Sequence, residues 1–140
     1  MRLMALDVGN RRIGVALSDP SETVARGLQV IRRSSPAADM EVIRALVEEH
    51  DVERIVVGHP LHLDGRAGEQ ARRAEEFAAD LECELGLPVV LWDEAFSTER
   101  ARQAMIEAGR KRKERRARLD AVAAAAILQD YLDSLRAEQA

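Results

Sequence analysis

The stretch Leu3-Met4-Ala5-Leu6-Asp7-Val8-Gly9-Asn10-Arg11-Arg12-Ile13-Gly14-Val15-Ala16-Leu17-Ser18 decides how the rest of the chain is read. Residues 1–7 form an apolar run that closes on Asp-x-Gly. After a short turn a second apolar segment, 13–18, follows and ends at Asp19-Pro20. Two strands joined by a tight connection are predicted, because Gly and Asn supply the turn and the flanking residues are β-formers. Residues 27–31 alternate loosely between charged and Ser/Pro-rich flanks and predict a third strand. The chain therefore opens as a three-stranded meander.

Outward from that hairpin the period changes. Met40, Ile43, Leu46 and Val47 recur at helical spacing with Asp39 and Glu41 in the first turn, which predicts a helix over 37–49. Residues 54–58 are a β-branched run with no polar alternation, as expected of a strand covered on both faces. Ala71, Ala74, Phe77, Ala78, Leu81 and Leu85 mark a long helix stopped by Gly86 and Pro88, and 89–92 is a fifth short strand running into Asp93-Glu94. Ser97 is placed to cap a helix striped by Ala101, Ala104, Met105 and Ala108, and a last helix is expected from about 119 to 136. The order βββαβαβαα joins antiparallel strands to parallel crossovers, so the expected fold is α/β. It is a mixed five-stranded sheet with helices on both faces.

At 140 residues, with 46% hydrophobic and 33% charged, the sequence fits a single domain over 1–140. The apolar stretches fall well short of the roughly 20 residues a bilayer span needs, and no secretory cleavage pattern follows Met1-Arg2, so a cytoplasmic protein is expected. Cys83 stands alone in a helical pattern and is read as packing rather than chemistry. The net charge is −4, yet residues 110–118 hold seven Arg or Lys against one Glu, +6 in nine positions, leaving −10 for the remainder.

Three acids stand out. Asp7 closes the first strand, where an open sheet usually binds ligands; a turn cap onto Gly9-Asn10 is the other use of such a residue. Asp93 and Glu94 close a later strand, and since neighbours on a strand point to opposite faces only one can share a crevice with Asp7; Glu94 is favoured. Asp120 falls on one helical stripe with Ala123, Ala124, Ile127 and Tyr131. A carboxylate on a sheet-facing stripe is costly unless it is paired or binds a metal, with an N-cap or an arginine salt bridge as the alternatives. Asp7, Glu94 and Asp120 together offer the oxygen donors that Mg²⁺ or Mn²⁺ prefers, and two ions roughly 4 Å apart would suit phosphodiester hydrolysis. The basic residues Arg110, Lys111, Arg112, Lys113, Arg115, Arg116 and Arg118 lead directly into Asp120, and with Arg11 and Arg12 they are the expected phosphate contacts. With only Phe77, Trp92, Phe96 and Tyr131 as aromatics, no base-stacking platform is evident. No P-loop or dinucleotide fingerprint is present, and His59 and His62, lacking cysteine partners, read as groove residues rather than zinc ligands.

Taken in order, Leu6-Asp7-Val8-Gly9 with Arg12-Ile13-Gly14-Val15-Ala16, Val56-Val57-Gly58-His59-Pro60 with Asp64-Gly65, Asp93-Glu94 with Ser97-Thr98, and Leu119-Asp120 with Ala123-Ala124 and Ile127-Leu128-Gln129 form a pattern spanning nearly the whole chain. It resembles the YqgF family, also called RuvX, within the RNase H-like superfamily. The resemblance implies a metal-dependent endonuclease whose acidic triad falls on Asp7, Glu94 and Asp120. It links the chain to maturation of the small-subunit ribosomal RNA precursor, with RNA or structured DNA as substrate and ribosomal particles as possible partners. One departure stands out: the family usually has an arginine directly after its Asp-Glu pair, where this chain has Ala95, with Arg100 as the candidate replacement. A Holliday junction resolvase is the first rival and would need a symmetric dimer; monomer and homodimer both stay open. A noncatalytic nucleic-acid-binding factor is a further alternative. An actin- or sugar-kinase-type nucleotide domain also opens with Asp-x-Gly, but needs a second lobe that 140 residues do not supply.

Overall fold

The computed structural model describes residues 2–59, 68–93 and 112–139, with side chains of the last helix described from 121 to 138. Strands β1 (Arg2–Val8) and β2 (Arg12–Ser18) pair antiparallel, Met4 opposite Leu17 and Val8 opposite Ile13. The turn between them is closed by backbone: Gly9 N–H donates to the Arg12 carbonyl at 2.8 Å. A Cβ at position 9 would lie 2.9 Å from that same oxygen, so the turn requires glycine. Strand β3 (Ala25–Arg32) pairs antiparallel with β2, with a register shift between Val15 and Ala16.

After helix α1 (Pro36–Glu49) the chain enters β4 (Val52–His59), parallel to β1. After helix α2 (Glu69–Leu85) it enters β5 (Val89–Asp93), parallel to β4. The sheet order is β3-β2-β1-β4-β5. Local chemistry marks the helix ends. Ser35 accepts the Ala38 N–H with Pro36 at the first turn, and Gly86 takes the left-handed conformation (φ 67°) that ends α2.

Strand alternation divides the core in two. Met4, Leu6 and Val8 of β1 join Ile55 and Val57 of β4 beneath Ile43 of α1 and Phe77 and Leu81 of α2. Leu3 and Ala5, with Ala16 and Val56, face Ala124, Ile127, Leu128 and Leu132 of the final helix, α3 (Arg112–Gln139). Helices therefore cover both faces, as expected.

The boundaries of several elements differ from the sequence reading. Helix α3 starts at Arg112 rather than near 119, so most of the basic run is helical. Arg and Lys are strong helix formers, but the run lacks the apolar stripe by which a helix is recognised. Strands β3 and β4 each extend beyond the expected 27–31 and 54–58, since backbone pairing continues past the apolar residues. The helix expected after Ser97, together with Glu94, Ala95, Arg100, Arg110 and Lys111, lies outside the described residues.

Candidate active site

Three parallel strands finish at one edge of the sheet. Leu6 is level with Val57 and Val57 with Leu91; beyond them Gly58 pairs with Trp92 and His59 with Asp93. Asp7 sits at this carboxyl edge. Within β1 it shares the side of Leu3 and Ala5, so its side chain lies on the α3 face, half-buried. It is not the last strand residue, since β1 continues to Val8. Its cross-strand neighbour is Gly14, which presents no side chain on that flank.

Of the two acids at the end of β5, Asp93 is on the wrong side. Val90 and Trp92 pack toward α3 while Val89 packs with the α1/α2 cluster, so alternation puts Asp93 on the face opposite Asp7. Glu94, the acid preferred in the sequence, lies outside the described residues.

Position 120 follows from how α3 lies on the sheet. Ala121 touches Gly27, while Gln129, two turns later, accepts the Ala25 N–H and donates to the Thr23 carbonyl. Helix α3 thus runs antiparallel to β3, and therefore to β1. Ala124 and Ala5 share one packed cluster. Four residues back along the helix, about 6 Å, the backbone reaches 120; two residues forward along β1, about 6.6 Å, it reaches Asp7. Both steps go the same way, so the N-terminal part of α3 and the carboxyl end of β1 run toward the same edge on the same face. The predicted stripe is buried from 123 on: Ala123, Ala124, Ile127 and Tyr131 are at most 6% exposed.

Comparison with known proteins places the chain in a family. A family model described as "RuvX: Holliday junction resolvase" matches residues 1–134. The chain belongs to the RuvX family. Relatives described as "Putative pre-16S rRNA nuclease" are 46% identical over 133 residues in Halothermothrix orenii, covering 95% of each chain, and 47% identical over 135 residues in Moorella thermoacetica, covering 96% of each. Among solved structures, T. thermophilus RuvC in complex with Holliday junction substrate matches with a TM-score of 0.61 at 17% identity, over 97% of this chain and 96% of that one. The Fowlpox virus resolvase complex with Holliday junction DNA matches at 0.58 and 11%, over 96% and 99%. At those identities the likeness concerns the fold, which is RNase H-like.

In this RuvX-family chain the described residues contain no group of three His, Cys, Asp or Glu able to hold a metal; of the three expected ligands only Asp7 has a described side chain. Carboxylate oxygen, as Asp7 offers, is the donor type a hard divalent cation takes. His59 is on the other face from Asp7. It lies on the α2 side, with Nε2 buried and, among the described residues, without a hydrogen bond, 3.6 Å from a Glu75 carboxylate oxygen.

Sequence reasoning missed how the turn beside Asp7 is braced. Arg33 donates to the Gly9 carbonyl at 2.9 Å, lies 5.6 Å over the Phe77 ring and faces Asp39 at 3.4 Å; Asp39, 2% exposed, also accepts the Ser34 N–H. The only available signal was an acid in the first turn of α1 shortly after two arginines. It also missed the Arg54 guanidinium bonded to the Tyr131 hydroxyl at 2.9 Å, beneath a T-shaped contact between Tyr131 and Trp92.

Proposed function

We propose that residues 1–140 form a single cytoplasmic nuclease domain that hydrolyses nucleic-acid phosphodiesters with Mg²⁺ or Mn²⁺, held as two ions by Asp7, Glu94 and Asp120. The observation that carries this reading is the half-buried Asp7 on the α3 face of the carboxyl edge, toward which the N-terminal part of α3 runs. Bound ions supply Lewis-acid activation of the attacking water and stabilisation of the leaving oxygen. The carboxylates contribute ligand oxygens, and one of them orients the water; no nucleophilic side chain is required. Arg110, Lys111, Arg112, Lys113, Arg115, Arg116 and Arg118 draw the substrate backbone toward Asp120 without reading sequence.

The substrate is the 5′ region of the small-subunit ribosomal RNA precursor, within or released from ribosomal particles. Support comes from the relatives in Halothermothrix orenii and Moorella thermoacetica, whose descriptions name that RNA. The family's description as a Holliday junction resolvase favours a second reading, paired cleavage of a four-way DNA junction by a two-fold dimer. Incubating the protein with labelled single-stranded RNA, single-stranded DNA, duplexes and four-way junctions, with Mg²⁺, Mn²⁺ or chelator, separates the two. Metal-dependent cleavage of RNA, lost in Asp7→Asn and Asp120→Asn, is expected. Junction cleavage alone would favour the resolvase, and binding that survives Asp7→Asn without any cleavage would leave a noncatalytic binder.

A further inference from the structure

Helix α3 meets the sheet first through a nearly featureless contact. Residues 121–126 read Ala-Val-Ala-Ala-Ala-Ala. The row beneath them is equally small, since Ala5 pairs with Ala16 and Ala16 with Gly27 across β1, β2 and β3. Ala121 touches Gly27, and Ala124 shares a packed cluster with Ala5 and Ala16. Interdigitating side chains hold a packed element in register on its support. Alanine on alanine and glycine gives close approach but few knobs, so this half of α3 resists rolling and sliding weakly. Larger apolar side chains enter the contact only from Ile127 on.

Two polar side chains in that second half fix what the alanines do not. On the β3 flank the Gln129 carboxamide accepts the Ala25 N–H at 2.9 Å and donates to the Thr23 carbonyl at 3.0 Å, so it pairs with the strand as a neighbouring strand would. Thr23 is itself held, because its N–H and that of Val24 donate to the Asp19 carboxylate. On the other flank the Tyr131 hydroxyl accepts from Arg54 of β4 at 2.9 Å, and its ring meets Trp92 of β5 edge to face, 5.2 Å between centroids. Residues two apart on a helix point about 200° apart, so the two side chains grip opposite flanks of α3. Together they set its rotation and its position along the sheet. Asp120 is nine residues before Gln129 on the same helix, about 13.5 Å away. Any roll or slide that the alanines permit is delivered to it.

We propose that Gln129 and Tyr131 are positioning residues for the nuclease site, keying α3 to the sheet so that the Asp120 carboxylate can share a cation with that of Asp7. This rests on the nuclease reading above and gives two residues remote from the reaction the alignment of one of its metal ligands. The competing role is stability alone, in which Gln129 merely satisfies the Thr23 and Ala25 backbone and Tyr131 the Arg54 side chain.

The test compares folded full-length variants. Gln129→Met keeps side-chain length and helix propensity but removes both amide bonds, and Tyr131→Phe keeps the ring but frees Arg54. Leu46→Ala, under α1 in the opposite core layer, is the control for lost stability. Mn²⁺ affinity by isothermal titration should fall about 10-fold or more in Gln129→Met, the range expected when an outer partner of a metal ligand is removed, and by less in Tyr131→Phe. The kcat of metal-dependent cleavage should fall with it while KM stays near the wild-type value, and Leu46→Ala should keep wild-type affinity and kcat. Trp92, the chain's one tryptophan, reports helix movement without substrate or metal: its emission should shift in Gln129→Met and not in Leu46→Ala. If Gln129→Met does not fold, Mn²⁺ affinity and kcat in Tyr131→Phe decide. Wild-type affinity and kcat in the folded variants, or an equal loss in Leu46→Ala, would assign both residues to stability and overturn the proposal. A wild-type chain without metal-dependent cleavage sinks the nuclease reading instead, whereas a Trp92 shift in Gln129→Met with unchanged Mn²⁺ affinity sinks this inference alone.

Discussion

Gly27 of β3 and Ala121 of α3 meet so closely that a Cβ built on residue 27 would lie 3.1 Å from the Ala121 Cβ and 3.3 Å from its carbonyl oxygen. The absence of a side chain at 27 lets α3 settle onto the sheet next to position 120. Gly27→Val should push the helix outward, costing about 1–3 kcal/mol, with Gly27→Ala milder because the neighbour need yield only a few tenths of an ångström. Urea unfolding reads the stability. If α3 sets the position of Asp120, cleavage by folded Gly27→Val falls as well; full activity in that variant would show that 120 does not depend on this contact.

The brace on the β1–β2 turn gives a second expectation. Asp39 is almost fully buried and holds both Arg33 and the Ser34 N–H, while Arg33 reaches across to Gly9. Asp39→Ala leaves two donors without their acceptor and should lower stability by about 2 kcal/mol. Hydrogen exchange would show faster opening at Gly9 and Ser34 than at the distant Leu3 amide. Uniform acceleration everywhere would mean that the brace acts on global stability and not on the turn.

The sheet was legible because its signals are local: Asp-x-Gly at a strand end, β-branched 54–58 without alternation, and Gly86 and Pro88 stopping a helix each specify a backbone state. The beginning of α3 was not, since Arg112, Lys113 and Arg116 favour helix without an apolar period to announce it. Contacts between distant residues were also hidden. Nothing in the sequence near Arg33 indicates that Gly9 lies under it, and nothing near Arg54 indicates Tyr131, 77 positions away. Such pairs exist only once the sheet order and the antiparallel course of α3 are set. The strand that carries Asp7 was readable, but the face it occupies follows only from counting along β1 from residues whose packing is known.

The loop joining β2 to β3 should be sensitive to acid. The Ser21 hydroxyl and the Val24 and Thr23 N–H groups all donate to the Asp19 carboxylate, holding its pKa down to about 2. A carboxyl depressed on folding contributes stability that is fully present above its unfolded pKa, near 3.8, and is lost as pH falls through about 2. Between those values the Thr23 and Val24 amides should lose exchange protection as the carboxylate takes up a proton. In Asp19→Asn that pH dependence should be absent, and its persistence would assign the transition to another group.

The two acids ending β5 give the sharpest test of the site, because they are adjacent in sequence and the sheet treats them differently. Trp92 packs toward α3 and Val89 toward the opposite cluster, so Asp93 is turned away from Asp7. An extended chain separates neighbouring side chains by the thickness of the sheet, too far for Asp93 to share a cation with Asp7. Glu94→Gln should therefore reduce Mg²⁺- or Mn²⁺-dependent cleavage by on the order of 100-fold or more, as should Asp7→Asn, while Asp93→Asn keeps most of the wild-type rate. Isothermal titration with Mn²⁺ provides a readout that does not depend on substrate: binding should weaken in the first two variants and persist in the third. Were Asp93→Asn inactive and Glu94→Gln active, the metal ligand would be on the α2 face and the proposed triad would have to be abandoned.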